Sequence, residues 1–260
     1  MRLIRYLKKD QNPGYGWILS QTDEPMVGPV EGSPFGEFRR MEAKQPLSSV
    51  RLLAPVQPSK IICVGLNYAA HAKEHGAALP EVPLLFLKPP STLIGPEDEI
   101  KLPPQSRQVE HEAELVAVIG VRGRWIPLEE ALGYILGYTI GNDVTARDLQ
   151  HRDGQWTRAK GFDTFCPIGP WIETEFDPAD QVITCDVNGE MRQMSTTRDM
   201  IFNLRQLIAF ASSVMTLEAG DIIMTGTPAG VGPLLPGDLV EVSIEGIGTL
   251  RNPVVSEHVP

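Results

Sequence analysis

The chain has few cysteines, no run of basic residues and no long apolar stretch, and each shortage excludes something. Cys63, Cys166 and Cys185 are the only three cysteines, widely spaced and never in a CxxC pair. An odd, scattered set speaks against a disulfide scaffold or a thiolate zinc site and suits a reducing cytoplasm. The formal net charge is −10, with no cluster of lysine and arginine. Neither nucleic acid nor an anionic membrane is therefore an expected partner. No apolar run approaches the roughly 20 residues of a membrane span, and the opening MRLIRYLKKDQNPGYGW lacks the apolar core of a secretory signal. A soluble cytoplasmic protein is expected. No internal repeat is visible.

What is present is turn chemistry between short strands. With 24 glycines and 23 prolines but no period, the 260 residues suit one large domain, or a large one with a small partner. Residues 1–55 alternate in short pieces and read as a small β-rich N-terminal subdomain. The two prolines of Ala54-Pro55-Val56-Gln57-Pro58 mark a boundary, and residues 56–260 form the main domain. Strands are expected at 60–65, 84–88, 109–119, 138–143, 181–187, 221–226 and in a closing hairpin at 239–254, with Asn188-Gly189 a hairpin turn. Short helices are expected from Asn67 as cap through His75, from Pro127 to before Gly137, and over 144–150. One long helix is expected from Asp199. Strands outnumber helices without regular βα alternation, so the fold class is mixed and β-dominated, α+β.

The acidic entrance to the run 109–119 carries the chemistry. In a strand, Glu112 and Glu114 share a face, about 6–7 Å apart at Cα, close enough to converge on one cation. Their bland alternative is solvation at a strand end. Asp143 ends another strand roughly thirty residues later. Three hard oxygen donors without cysteine select Mg²⁺, Mn²⁺ or Ca²⁺ over zinc and leave positions open for water and substrate. His111 points to the opposite face, and Glu110 stands one step too far from such an ion.

His71 and Glu74 lie three apart on a helix face, where the carboxylate can orient the imidazole as a general base. The same segment, His71-Ala72-Lys73-Glu74-His75, also matches H-x-x-E-H, in which both histidines would bind zinc in a peptidase. Arg147 and Gln150 follow Asp143 at helical spacing and can bind a substrate carboxylate; an ordinary charged helix surface is the alternative. Lys88 and Lys160 can offset the acids and stabilise a developing enolate. The stretch from Thr225 to Gly232 lacks GK[ST] and precedes Pro233, so it is not a phosphate loop. It reads instead as a turn whose amides and Thr227 hydroxyl hold a small carboxylate, or as a purely structural turn.

Together, Gly65-Leu66-Asn67-Tyr68-Ala69-Ala70-His71-Ala72-Lys73-Glu74, Phe86-Leu87-Lys88-Pro89, His111-Glu112-Ala113-Glu114-Leu115, Gly141-Asn142-Asp143-Val144-Thr145-Ala146-Arg147-Asp148, Trp156-Thr157-Arg158-Ala159-Lys160 and Thr225-Gly226-Thr227-Pro228 resemble, in content and order, the fumarylacetoacetate hydrolase family. The resemblance implies a β-sandwich-like roll, usually a homodimer, with Mg²⁺ or Mn²⁺ on Glu112, Glu114 and Asp143. It implies that the His71–Glu74 segment is a lid bringing the dyad to bound substrate, with Lys160 beside the metal. Lys88, Arg147, Gln150 and Thr227 match substrate-contacting positions. The short N-terminal part points to the branch of acylpyruvases and homoprotocatechuate-pathway isomerases or decarboxylases. The implied substrate is a small 2-oxo or 2-hydroxy-dienoic acid, converted through a metal-stabilised enolate. Hydrolysis of acylpyruvates, isomerisation of 2-hydroxyhepta-2,4-diene-1,7-dioate in aromatic catabolism and decarboxylation of oxaloacetate all pass through that enolate. A non-catalytic binder of metal or carboxylate is the remaining class.

Overall fold

The strand Ala113–Ile119 is buried along its whole length, and its alternating side chains feed two cores. Leu115 and Ala117 join Ile140, Ile183, Val242 and Leu250 in one cluster. Val116 and Val118 join Ile61, Cys63, Ile168 and Met224 on the other face. Glu114 keeps step with the second set, because side chains two apart share a face.

The computed structural model, which describes residues 1–8, 10–20, 24–74 and 76–258, sets this strand inside a 13-stranded sheet. It pairs antiparallel with Ile135–Asn142, with Glu114 opposite Gly141, and antiparallel with Ile222–Met224 on its other side. Beyond lie Ile61–Gly65, parallel to Ile222–Met224, and then Leu84–Lys88 at the end of the strand order. A 5-stranded sheet including Val182–Val187, Glu190–Thr196, Leu239–Ile244 and Gly248–Ser256 supplies the opposing side of the first cluster. A 3-stranded sheet of Val109–His111, Thr145–Ala146 and Gly232–Pro233 draws three distant stretches together at the acidic entrance. The N-terminal strands Arg2–Leu7, Pro13–Leu19 and Met26–Gly32 extend the large sheet, Arg2–Leu7 pairing with Cys166–Glu173. The Met1 ammonium donates to Glu173 at 2.9 Å beside that seam.

Four short α-helices complete the described residues: α1 (Ala69–Glu74), α2 (Arg147–Asp153), α3 (Thr157–Lys160) and α4 (Leu204–Val214). The fold is thus β-dominated and mixed, and no described helix is long and apolar enough to cross a membrane. At α4, Leu207, Ile208 and Ala211 pack on Ile62, Val64 and Ile223.

Several helix boundaries differ from expectation, each for a local reason. The long helix begins at Leu204, not at Asp199. Asn203 and Gln206 form a reciprocal capping box that satisfies the first-turn amides, while Asp199 ends a 3₁₀ turn and accepts the Ser195 hydroxyl. No α-helix follows Pro127. Strand pairing resumes at Ile135 and Gly120 donates to Tyr134 O, leaving room only for the 3₁₀ turn Ala131–Tyr134. The helix expected over 144–150 starts at Arg147, since Thr145 and Ala146 pair with the strand Val109–His111. Asn67 does not cap α1: its Nδ2 donates to Phe202 O and Thr225 O, and its Oδ1 accepts from Phe202 N. The Asn188–Gly189 turn forms as expected, both residues with positive φ.

Candidate active site

Glu112 falls in the break between Val109–His111 and Ala113–Ile119. Its amide donates to Asn142 Oδ1 at 2.9 Å, and its carbonyl accepts the Asp143 amide at 2.9 Å. These bonds stitch the acidic strand to the end of Ile135–Asn142. As a result the ligand oxygens of Glu112, Glu114 and Asp143, all buried, lie within 4.8 Å of one another.

Three buried cations surround the triad. Lys160, at the end of α3, donates to Glu112 Oε2 at 2.8 Å and Asp143 Oδ2 at 2.7 Å. Lys88, ending the strand Leu84–Lys88, donates to Asp143 Oδ1 at 2.6 Å and Val144 O at 3.1 Å. Arg147, opening α2, reaches Glu112 Oε1 with Nη2, Glu110 Oε2 with Nε at 2.7 Å and Gln150 Oε1 with Nη1 at 2.6 Å. Four buried carboxylates, Glu110 included, thus face three cations, and among the described residues Glu114 has no ion-pair partner; it accepts the Gly226 amide, at 2.8 Å.

The electrostatics follow from this count. Burial pushes Glu112 upward, but Lys160 and Arg147 outweigh it and hold the carboxyl far below the usual range. Burial, reinforced by Asp143 and Glu112, raises Glu114 well above that range. Burial also lowers Lys160, yet Asp143 and Glu112 more than restore it, so it stays an ammonium. A divalent cation within reach of all three oxygens would supply the charge that Glu114 lacks. The set is all hard oxygen, without thiolate or imidazole, and so fits Mg²⁺ or Mn²⁺ better than zinc. Cys63, below the site, is no nucleophile: burial and then Asp143 push its thiol well up.

The His–Glu pair comes from α1. His71 Nδ1 lies 3.2 Å from Glu74 Oε2, and Glu74 also accepts the Gly230 amide, at 3.1 Å to Oε1. Positive φ serves two positions of that loop. At Gly226 (φ +95) an added Cβ would lie 2.7 Å from Asn67 Cβ; at Gly230 (φ +98) it would lie 2.2 Å from Arg192 O. Substitution at either would push the loop off Glu114 or off Glu74.

His71, Glu112, Glu114, Asp143, Lys160 and Thr227 face one cavity of about 220 Å³, with Arg147 and Gln150 also on its wall. Phe86 and Trp156, edge to face at 5.2 Å, line it and continue into a groove of about 770 Å³. Lys88 lines the groove rather than the cavity. The arginine expected to reach substrate is largely engaged by Glu110, Glu112 and Gln150, and the Gly226 amide expected to hold a carboxylate holds Glu114 instead. His75, the second histidine of the zinc reading, lies outside the described residues, and α1 has only six residues.

Sequence reasoning discarded Glu110, which the structure places as the second carboxylate on Arg147. A buried arginine with several donors was the signal, since it requires more than one acceptor. Asn142 and Gln193 gave no local signal, because their partners lie 30 and 34 residues away in Glu112 and Thr227.

A β-rich fold that brings a buried carboxylate triad and the histidine of a His–Glu pair to one small cavity is the frame of an enzyme active site. The chain belongs to the fumarylacetoacetate hydrolase family: residues 60–255 match the model described as Fumarylacetoacetate (FAA) hydrolase C-terminal, and residues 1–55 match that described as Rv2993c-like, N-terminal. Among solved structures it is similar to 5-carboxymethyl-2-hydroxymuconate delta-isomerase from Mycobacterium smegmatis, with TM-score 0.93 and 47% identity over 99% of this chain and 100% of that one. It is similar also to 2-hydroxyhepta-2,4-diene-1,7-dioate isomerase from Mycobacterium marinum, with TM-score 0.92 and 45% identity over 100% of both chains. A mitochondrial oxaloacetate tautomerase of Rattus norvegicus is 45% identical over 84% of this chain and 74% of its own.

Proposed function

We propose that the protein catalyses a proton shift on a small 2-oxo diacid, either keto–enol interconversion of the oxaloacetate type or double-bond migration of the 2-hydroxyhepta-2,4-diene-1,7-dioate type. The observation that carries this reading is His71, oriented by Glu74, on the wall of the same buried 220 Å³ cavity as Glu112, Glu114 and Asp143. That volume lies below the roughly 300–1,000 Å³ of ordinary ligand pockets, which suits a few-carbon acid. Similar proteins bearing isomerase and tautomerase names support it.

Glu112, Glu114 and Asp143 would hold Mg²⁺ or Mn²⁺, which would supply Lewis-acid polarisation of a 2-oxo group. The chain's own residues do the rest. Glu74 engages His71 Nδ1, so Nε2 takes the proton from the carbon beside the oxo group and delivers it to the enolate oxygen, or, in double-bond migration, to the far carbon of the conjugated system. Lys160 keeps its proton and holds Glu112 and Asp143 in place, while Arg147 fixes Glu112 from the other side. Phe86 and Trp156 keep bulk water from the exchanging proton.

Hydrolysis of acylpyruvates is the second reading, because a His–Glu pair able to deprotonate carbon can also deprotonate water. The test is product identity with Mg²⁺ present, using oxaloacetate, 2-hydroxyhepta-2,4-diene-1,7-dioate, acylpyruvates and fumarylpyruvate. Decay of enol absorbance without a new acid is expected with oxaloacetate. Release of pyruvate from acylpyruvate, or of CO₂ from oxaloacetate, as the faster reaction would overturn the proton shift as the main activity.

A further inference from the structure

We propose that Gln193 is a positioning residue that orients the Thr227 hydroxyl with its proton toward the cavity, so that this spot takes the acceptor oxygen of a substrate carboxylate. The inference rests on substrate occupying the cavity described above.

Gln193 sits on Glu190–Thr196, in the second sheet, and is 1% exposed. A carboxamide can be placed two ways round, and here two backbone groups decide between them. The Ala113 amide can only donate, and it lies 3.1 Å from Oε1; the Pro228 carbonyl can only accept, and it lies 2.8 Å from Nε2. Reversal would set donor against donor and acceptor against acceptor in a buried place, which is strongly disfavoured. His111 agrees with this placement, its Nδ1 lying 3.0 Å from the same Oε1.

The remaining Nε2 hydrogen goes to Thr227 Oγ1, at 2.8 Å. A hydroxyl that accepts still has one proton to place. Among the described residues no acceptor takes it, and Thr227 lies on the cavity wall beside Glu114 and His71. The direction of donation therefore runs from Gln193 through the hydroxyl and into the cavity. An unheld hydroxyl is free to rotate its proton away from a carboxylate; the bond from Gln193 disfavours that rotation. The Gly230 turn against Arg192 O keeps the loop on this strand.

The test compares wild type, Gln193→Glu, Thr227→Val, Thr227→Ser and the Gln193→Glu/Thr227→Val pair in the full chain with Mg²⁺. Oxaloacetate kinetics and calorimetric titration with oxalate, a non-reacting planar 2-oxo acid mimic, are the readouts. Gln193→Glu offers Thr227 an acceptor and so reverses the hydroxyl. It and Thr227→Val are each expected to raise KM and weaken oxalate about tenfold, the value of one hydrogen bond to a charged group, with kcat little changed. Thr227→Ser, which keeps the hydroxyl, should recover most of the oxalate affinity that Thr227→Val loses, and the double variant should be no worse than the weaker single. Losses that multiply in the double variant, a fall confined to kcat, or normal oxalate affinity in Gln193→Glu would each overturn the inference. Gln193→Met carries the same expectation should the glutamate variant fail to fold. No turnover of oxaloacetate by wild type would overturn the proposed reaction yet leave the oxalate comparison to decide on Gln193; no oxalate binding by wild type would overturn both.

Discussion

The acid cluster and His71 of the His71–Glu74 pair face one cavity, but the two regions are built in opposite ways. Glu114 projects from a strand paired on both sides, with Glu112 and Asp143 tied together at the strand ends, and every carboxylate except Glu114 has a buried cation. The base is carried by a six-residue helix, too short to persist without tertiary contacts. Glu74, 35% exposed in its side chain, meets the glycine loop through a single backbone amide. The charge array is part of the fold's skeleton, whereas the proton-transfer group is docked onto it. Changes in the first region should therefore alter ion binding and stability along with rate, and changes in the second should alter rate alone.

The comparison breaks first at the triad. Asp143→Asn, or chelation of the wild type with EDTA, is expected to lower turnover about a thousandfold or more. Mg²⁺ should restore only the chelated wild type, and calorimetry should show Mg²⁺ binding lost in the variant. Next comes His71→Ala, with a loss of about a hundredfold, unchanged Mg²⁺ affinity and an unchanged melting temperature. Should Mg²⁺ affinity fall with His71, the two regions are not separable. Glu74→Gln keeps the shape but weakens the orientation of the imidazole and its hold on Gly230, so a drop of about tenfold in kcat is expected.

The smallest effect concerns pH. Glu114 is raised in the folded state, so its favourable contribution is present at low pH and is lost as pH rises through the folded value. Chelator-treated protein should accordingly gain unfolding free energy as pH falls from neutrality toward the ordinary carboxylate range, by at most about 1.4 kcal/mol per pH unit, as read by denaturant titration. Glu112 does not oppose this trend, since its depressed value keeps it ionised throughout that window. Glu114→Gln should flatten the slope.

The parts of the site legible in the sequence were those set by local periodicity. Glu112 and Glu114 share a face because they are two apart, and His71 and Glu74 meet because they are three apart on a helix. Asp143 could be placed because it ends a strand. What escaped were choices among competing partners. Asn67 looks like a helix cap until Phe202 and Thr225 come within reach of its carboxamide, and Asp199 looks like one until Asn203 and Gln206 satisfy the same turn. Arg147 reads as a residue able to bind a substrate carboxylate; the fold adds that Glu110 and Glu112 already take part of its guanidinium while it lines the cavity. The β-dominated class was readable because it depends on many strands at once, whereas a side chain's partner depends on a single meeting across tens of residues.

The anchoring of Asn67 turns α1 into a lever. Three hydrogen bonds pin the chain just before the helix, so any tilt has its fulcrum there. Glu74 stands about 4.5 Å farther along the arm than His71 at 1.5 Å per residue, and travels farther for the same angle. A small rotation would part Glu74 from Gly230 before the imidazole shifted far, so the aim of the base would rest on the contacts that hold Asn67.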